Sequence, residues 1–294
     1  MYAKNISTNN PGLVVFLIDQ SGSMRGQWGG DVNSSKAELA ADALNKSLYD
    51  LALNACIKDG KPADRVHISA YTYNEGSVAW ALDQIGEGQG WAEAQDWVPG
   101  YSHIDKIPVT QDGSEVIYQE VPVWIKPSAA GGTPMYKALT KARDVVARHA
   151  AQFQDSYPPI VINITDGRPD GGHGRVQGLS KEIRGISTSD GDTLLMNIHI
   201  HQSQSGSLVF PSLQEANTHA DGAVGPMAEC TSLLPANMLV QARKCKMNVK
   251  EGSIGMIINA DWSMLTKFLR IGTTLLQDPD SRPELPETSS EVVG

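Results

Sequence analysis

The chain has 294 residues, with 24 Lys and Arg against 33 Asp and Glu, a net charge of −9, 40% hydrophobic and 19% charged residues. That length can bury a full core, and the acidic balance argues against a broad surface for nucleic acid or an anionic membrane. No run of about 18 apolar residues suggests a transmembrane helix, and the opening MYAKNISTNNPG lacks the apolar stretch of a secretory signal, so a cytoplasmic protein is expected.

In chain order, residues 13–18 (LVVFLI) form an apolar run too short and too β-branched for a helix, which predicts a strand buried on both faces. It ends on Asp19, and Ser21 and Ser23 follow at alternate positions around Gly22, so oxygen-bearing side chains leave a strand end on a tight loop. After a Gly-rich loop over 25–33, Ser35 and Glu38 have capping-box spacing. The helix they open carries Leu39, Ala43, Leu44, Leu48, Leu51 and Ala55 on one face. Residues 66–73 (VHISAYTY) are the next predicted strand, after a turn at Asp59-Gly60.

The pattern loosens from 74 to 128, where short β-like pieces at 77–82, 115–119 and 121–125 sit between Gly- and Pro-rich turns. Trp80, Trp91, Trp97 and Trp124 lie there, either covering the sheet edge or forming a recognition surface. AAGGTP at 129–134 runs into a helix with Tyr136, Leu139, Val145, Val146, His149 and Phe153. Residues 160–165 (IVINIT) then repeat the first strand's design and end at Asp166-Gly167. A helix over 176–186 and a strand over 193–200 follow; 202–250 reads as irregular, with one helix over 236–245. A strand at 254–258 and a final helix through Leu265, Phe268, Leu269 and Leu275, capped by Asp261, complete the pattern, and 278–294 is an acidic, Pro-rich flexible tail.

Strands alternating with helices imply a mostly parallel α/β sheet covered on both faces, with ligands beyond the carboxyl ends of its strands. Asp19 and Asp166 both stand at such ends. Taken singly, Ser21 and Ser23 suit a turn, Thr133 before Pro134 suits a helix cap, and Asp166 suits a turn. Taken together, DQSGS, GGTP and TDG resemble the metal-ion-dependent adhesion site of the von Willebrand factor A (vWA) domain family, a D-x-S-x-S motif followed by a distant Thr and a distant Asp.

That resemblance spans about residues 13–272 and leans towards intracellular bacterial members such as the tellurium-resistance-type proteins. It implies a Rossmann-like vWA fold as a single domain over 1–277, with insertions near 74–128 and 202–250. It also implies a site of Asp19, Ser21, Ser23, Thr133 and Asp166 for Mg²⁺, with Mn²⁺ or Ca²⁺ as substitutes, since hard cations take oxygen ligands. The implied function is not enzymatic: an adaptor whose ion accepts a carboxylate from a protein partner, such as a kinase, phosphatase or AAA+ ATPase.

The alternative is a Mg²⁺-dependent hydrolase of phosphate esters. A haloacid-dehalogenase-type phosphatase needs a second carboxylate where Ser21 stands, and neither GxGxxG after a strand, a P-loop nor a GxSxG elbow occurs. Cys56, Cys230 and Cys245, odd in number and far apart, predict neither a disulfide framework nor a cysteine zinc site. His199 and His201, at i and i+2, share a strand face and suit a transition metal, and His173 lies in the loop after Asp166; lacking a third partner, they read more simply as rim polarity. Arg168 and Asp170 are placed at the rim of the aspartate site or read as solvated loop charge.

Overall fold

In the computed structural model, which describes residues 1–27, 34–111, 115–200, 207–259 and 262–274, the first apolar run becomes an interior strand of a seven-stranded sheet. In chain order the strands are β1 (Gly12–Asp19), β2 (Val66–Asn74), β3 (Ser77–Trp80), β4 (His103–Gln111) and β5 (Glu115–Val123), then β6 (Ile160–Thr165), β7 (Leu194–His199), β8 (Leu208–Val209) and β9 (Met256–Ile258). The longer helices are α1 (Lys36–Leu51), α2 (Met135–Gln152), α3 (His173–Arg184), α4 (Ala236–Lys244) and α5 (Trp262–Thr274). The sheet order is β8-β9-β7-β6-β1-β2-β3. All pairs from β9 across to β2 are parallel, and β8 and β3 are antiparallel edges.

Every residue of β1 is buried, because the sheet is covered on both sides. Val14, Phe16 and Ile18 pack with Ala43, Leu44 and Leu48 of α1 and Phe268 of α5, whereas Leu13, Val15 and Leu17 pack with Leu139 and Val146 of α2 and Ile183 of α3. Each of these Val, Leu, Ile and Phe side chains contributes roughly 1.5–3 kcal/mol of burial energy. The capping box at Ser35 and Glu38 forms with both reciprocal bonds, as its spacing predicts.

From β1 the chain crosses through α1 to β2 on one side, while β6, β7 and β9 build the other side. The loops after β1 and β6 therefore diverge at the reversal of strand order, which leaves room for a site at their carboxyl ends.

The 74–128 region is only partly a sheet edge. β3 closes the main sheet, but β4 and β5 form a separate hairpin paired from His103↔Val123 to Gln111↔Glu115, with β5 against α1. The predicted pieces at 115–119 and 121–125 belong to one strand. Its partner β4 (HIDKIPVTQ) was not expected, because Pro108 and charged residues interrupt the β pattern; an isolated two-stranded ribbon tolerates a proline.

The tryptophans do not form a recognition surface. Trp91, Trp97 and Trp124 are buried, and Trp80 is half-buried. Trp97 Nε1 donates to Val66 O at 2.9 Å, stapling the 74–128 region to β2, and Trp124 Nε1 donates to Trp97 O at 2.6 Å, tying that region together. Buried Asn45 of α1 adds a second pin: its Oδ1 accepts the N–H groups of Trp124 and Ile125, each at 3.0 Å, and its Nδ2 donates to Ile125 O at 2.9 Å.

The 202–250 stretch holds more structure than expected, namely β8 and helical turns at Leu213–Asn217 and Val224–Glu229 as well as α4. The loop at 28–33, His201, the Asp261 cap, Leu275 and the acidic tail 278–294 lie outside the described residues.

Candidate functional site

Asp19 is the last residue of β1 and is fully buried, set beside Tyr73 of β2 by the strand register. Its Oδ1 accepts the Ser21 N–H at 2.8 Å, and its Oδ2 accepts the Thr165 hydroxyl at 2.6 Å. Burial raises the carboxyl to about 6; the bonds from Thr165 and Ser21 oppose this, and the charge of Asp166 adds to it. A carboxylate so placed gains from any cation brought to it.

Ser21 precedes the 3-10 turn Gly22–Arg25 but does not cap it with its side chain. Its Oγ instead lies 3.0 Å from Ser23 Oγ, and Ser23 Oγ donates to Asp166 Oδ1 at 2.6 Å. The two serines therefore link the ends of β1 and β6, which a plain turn role does not require.

Asp166 Oδ2 accepts from Lys36 Nζ at 2.6 Å, in an ion pair whose side chains are 0% and 6% exposed. Lys36 is the first residue of α1, where the helix dipole disfavours a cation, so the buried carboxylate offsets that placement. Sequence reasoning missed Lys36, which looks like an ordinary surface lysine after a cap.

The third loop is held against the first by Gly22 N–H to Gly131 O at 2.9 Å and Ala130 N–H to Gln20 O at 2.7 Å. Gly131 has φ +69, and a Cβ there would lie 2.7 Å from Glu75 Cα, so this approach requires glycine. Thr133 is buried, and its carbonyl accepts from Asp170 N at 3.0 Å, tying it to the loop after Asp166. A Cβ built on Gly167 would sit 3.3 Å from Thr133 Oγ1 and 3.9 Å from Ser23 Oγ, so both hydroxyls border that glycine.

Thr133 is not the helix cap. Pro134 takes that position, α2 starts at Met135, and the Thr133 hydroxyl bonds to no other described residue. All five predicted residues thus converge. Asp170 borders the same loops, its Oδ2 lying 2.9 Å from a Cβ built on Gly132.

Two further groups complete the surroundings. Thr165 Oγ1 accepts from Gly167 N at 3.1 Å while donating to Asp19, so it orients both the carboxylate and the turn. Buried Tyr73 donates to Asn163 Oδ1 at 2.9 Å, its phenol held well above its usual range first by burial and then by the nearby Asp19. The sequence pattern marks Thr165 only as the end of a strand.

Of the histidines in the sequence pattern, His199 and His173 are among the described residues, and each has its own surroundings. His199 Nε2 lies 3.0 Å from Asp221 Oδ2, and His173 opens α3, its basicity lowered by burial and then by Arg168. Among the described residues, the group of three or more His, Cys, Asp or Glu whose donor atoms all lie within 4.8 Å is Asp64, His67 and Glu93, at the other end of β2.

No helix among the described residues is long and apolar enough to cross a membrane. No family model and no curated protein matches the chain.

Proposed function

We propose that Asp19, Ser21, Ser23, Thr133 and Asp166 hold a divalent cation of the Mg²⁺ class, and that the chain is a vWA-type interaction module whose ion takes a carboxylate from a protein partner. The carrying observation is the convergence of five oxygen-bearing side chains from three loops, linked through Ser23 to Asp166 and through Thr165 to Asp19. The donor set fits the ion: it is all oxygen, it mixes two carboxylates with three hydroxyls, and hard cations prefer such ligands. The fully buried Asp19 carboxylate is contacted by neutral donors, which a cation would complement.

When bound, the ion would supply an electrophilic, oxygen-seeking position for an acidic partner side chain. The residues of this chain orient the donors and exclude water from the Asp19 side. Lys36 adds a condition, because its ammonium already neutralises Asp166. An ion that uses Asp166 must compete with it.

Titration calorimetry with Mg²⁺ and Mn²⁺ tests the reading, comparing wild type with a folded Asp19→Ala, Asp166→Ala double variant. Binding that disappears in the variant supports it. Equal binding in both proteins, or none in either, overturns it.

A further inference from the structure

The amino end of β2 carries a different constellation. Asp64 lies in the turn before the strand, His67 is its second residue, and Glu93 flanks the segment bridged to β2 through Ile68↔Ala92. We propose that these three side chains form a separate site for a borderline transition-metal ion, Zn²⁺ in the first place.

His67 is 1% exposed, and its ring is fixed on several sides. Nδ1 lies 3.0 Å from His149 Nε2, and Trp91 stacks on the imidazole at 5.9 Å and 12°. Nε2 therefore faces the carboxylates, 3.1 Å from Asp64 Oδ2. Asp64 is itself positioned, because its Oδ1 accepts the Ala94 N–H at 2.8 Å and leaves Oδ2 towards the histidine. Metal-ligating histidines commonly have the second ring nitrogen held in this way, which sets the tautomer and the ring orientation.

The spacing suits a small ion. Zinc bonds of about 2.0–2.1 Å in a tetrahedron separate donor atoms by roughly 3.3 Å. The His67–Asp64 pair is already near that separation, and all three donors lie within 4.8 Å of one another. Glu93 is half-buried on a rotatable side chain, so its carboxylate can close the remainder. Three protein ligands leave a fourth position for water, and the imidazole selects Zn²⁺ over Mg²⁺.

The two sites are independent in space. His67 and Tyr73, the neighbour of Asp19, are six residues apart on one strand, roughly 20 Å. A Zn²⁺ here would clip residues 92–94 of the 74–128 region to β2, beside the Trp97 and Trp124 staples.

The test uses the full chain in excess Mg²⁺, titrated with Zn²⁺ by calorimetry and with Co²⁺ by visible absorption, in wild type, Glu93→Gln, Asp64→Asn and Asp19→Ala. One Zn²⁺ per chain is expected, with affinity at least about tenfold weaker in Glu93→Gln and Asp64→Asn and unchanged in Asp19→Ala. The intense bands of a tetrahedral Co²⁺ site should follow the same order. Glu93→Gln, at a half-exposed position, decides the matter if Asp64→Asn does not fold. The proposal is overturned if Zn²⁺ does not bind, if Glu93→Gln binds it as wild type does, or if Asp19→Ala abolishes the binding.

Discussion

The two ends of the β1–β2 pair place polar groups differently although they share the same strands. At the carboxyl end, Asp19, Ser21, Ser23, Thr133 and Asp166 offer only oxygen, and a lysine already occupies one carboxylate. At the amino end, Asp64 and Glu93 meet an imidazole backed by His149 and Trp91. The first arrangement arises where loops diverge and backbone turns orient short side chains; the second arises where a strand side chain is gripped from behind by aromatic packing. Donor chemistry, not location in a cleft, therefore separates the cations proposed for the two ends.

The sharpest way to break this contrast is Asp166→Ala. It leaves the Lys36 ammonium buried without its carboxylate, so about 3–5 kcal/mol of unfolding free energy should be lost in urea titrations, together with Mg²⁺ binding. Adding Lys36→Met to that variant should restore most of the stability but none of the binding. A single variant as stable as wild type would mean that the pair is not closed in solution.

The tie between the 74–128 region and the core comes next. Asn45→Ala removes the acceptor of two buried N–H groups and the donor to Ile125 O, so a loss of roughly 2–3 kcal/mol is expected in the same assay. A loss under about 0.5 kcal/mol would show that water replaces those bonds and that the 74–128 region is loosely held.

Lys36→Met alone distinguishes competition from mere proximity. With the ammonium gone, Mn²⁺ should bind roughly tenfold more tightly, about 1.4 kcal/mol, in calorimetry. The metal-free variant should unfold at lower temperature and recover on adding the ion. Unchanged affinity would remove Lys36 from the account of the site.

The smallest effect concerns Asp42, on the face of α1 turned to the β4–β5 hairpin. Burial, then Asp105 and Glu38, raises its carboxyl from 3.8 to about 6. The folded state therefore holds this proton more tightly than the unfolded one. The resulting stability is fully present below pH 3.8 and is lost as pH rises through 6. Asp42→Asn should raise stability at pH 7.5 by about 1 kcal/mol, after discounting for partial exposure, and by little near pH 4. Equal gains at both pH values would point to a cause other than charge.

Much of this was legible along the chain. Buried parallel strands announce themselves as apolar runs, so 13–18 and 160–165 could be read directly, and the Ser35–Glu38 box locates a helix start because both of its bonds are local. The five residues proposed as a cation site were singled out in the sequence through the family resemblance: D-x-S-x-S is confined to one loop, and its partners follow recognisable strand or glycine-loop signals. The hairpin partner β4 was hidden because its strand state comes from pairing with β5 rather than from its own pattern.

The amino-acid sequence by itself thus determined the alternation of strands and helices, the strand ends that carry Asp19 and Asp166, and the oxygen character of their loops. Only the tertiary structure decided that Lys36 neutralises Asp166, that Thr165 holds Asp19, and that His67 meets Asp64 and Glu93. The physical reason is range. Periodicity and capping are set by neighbours within a turn or two, whereas an ion pair between residues 130 positions apart exists only once the sheet has brought two strand ends and a helix start together.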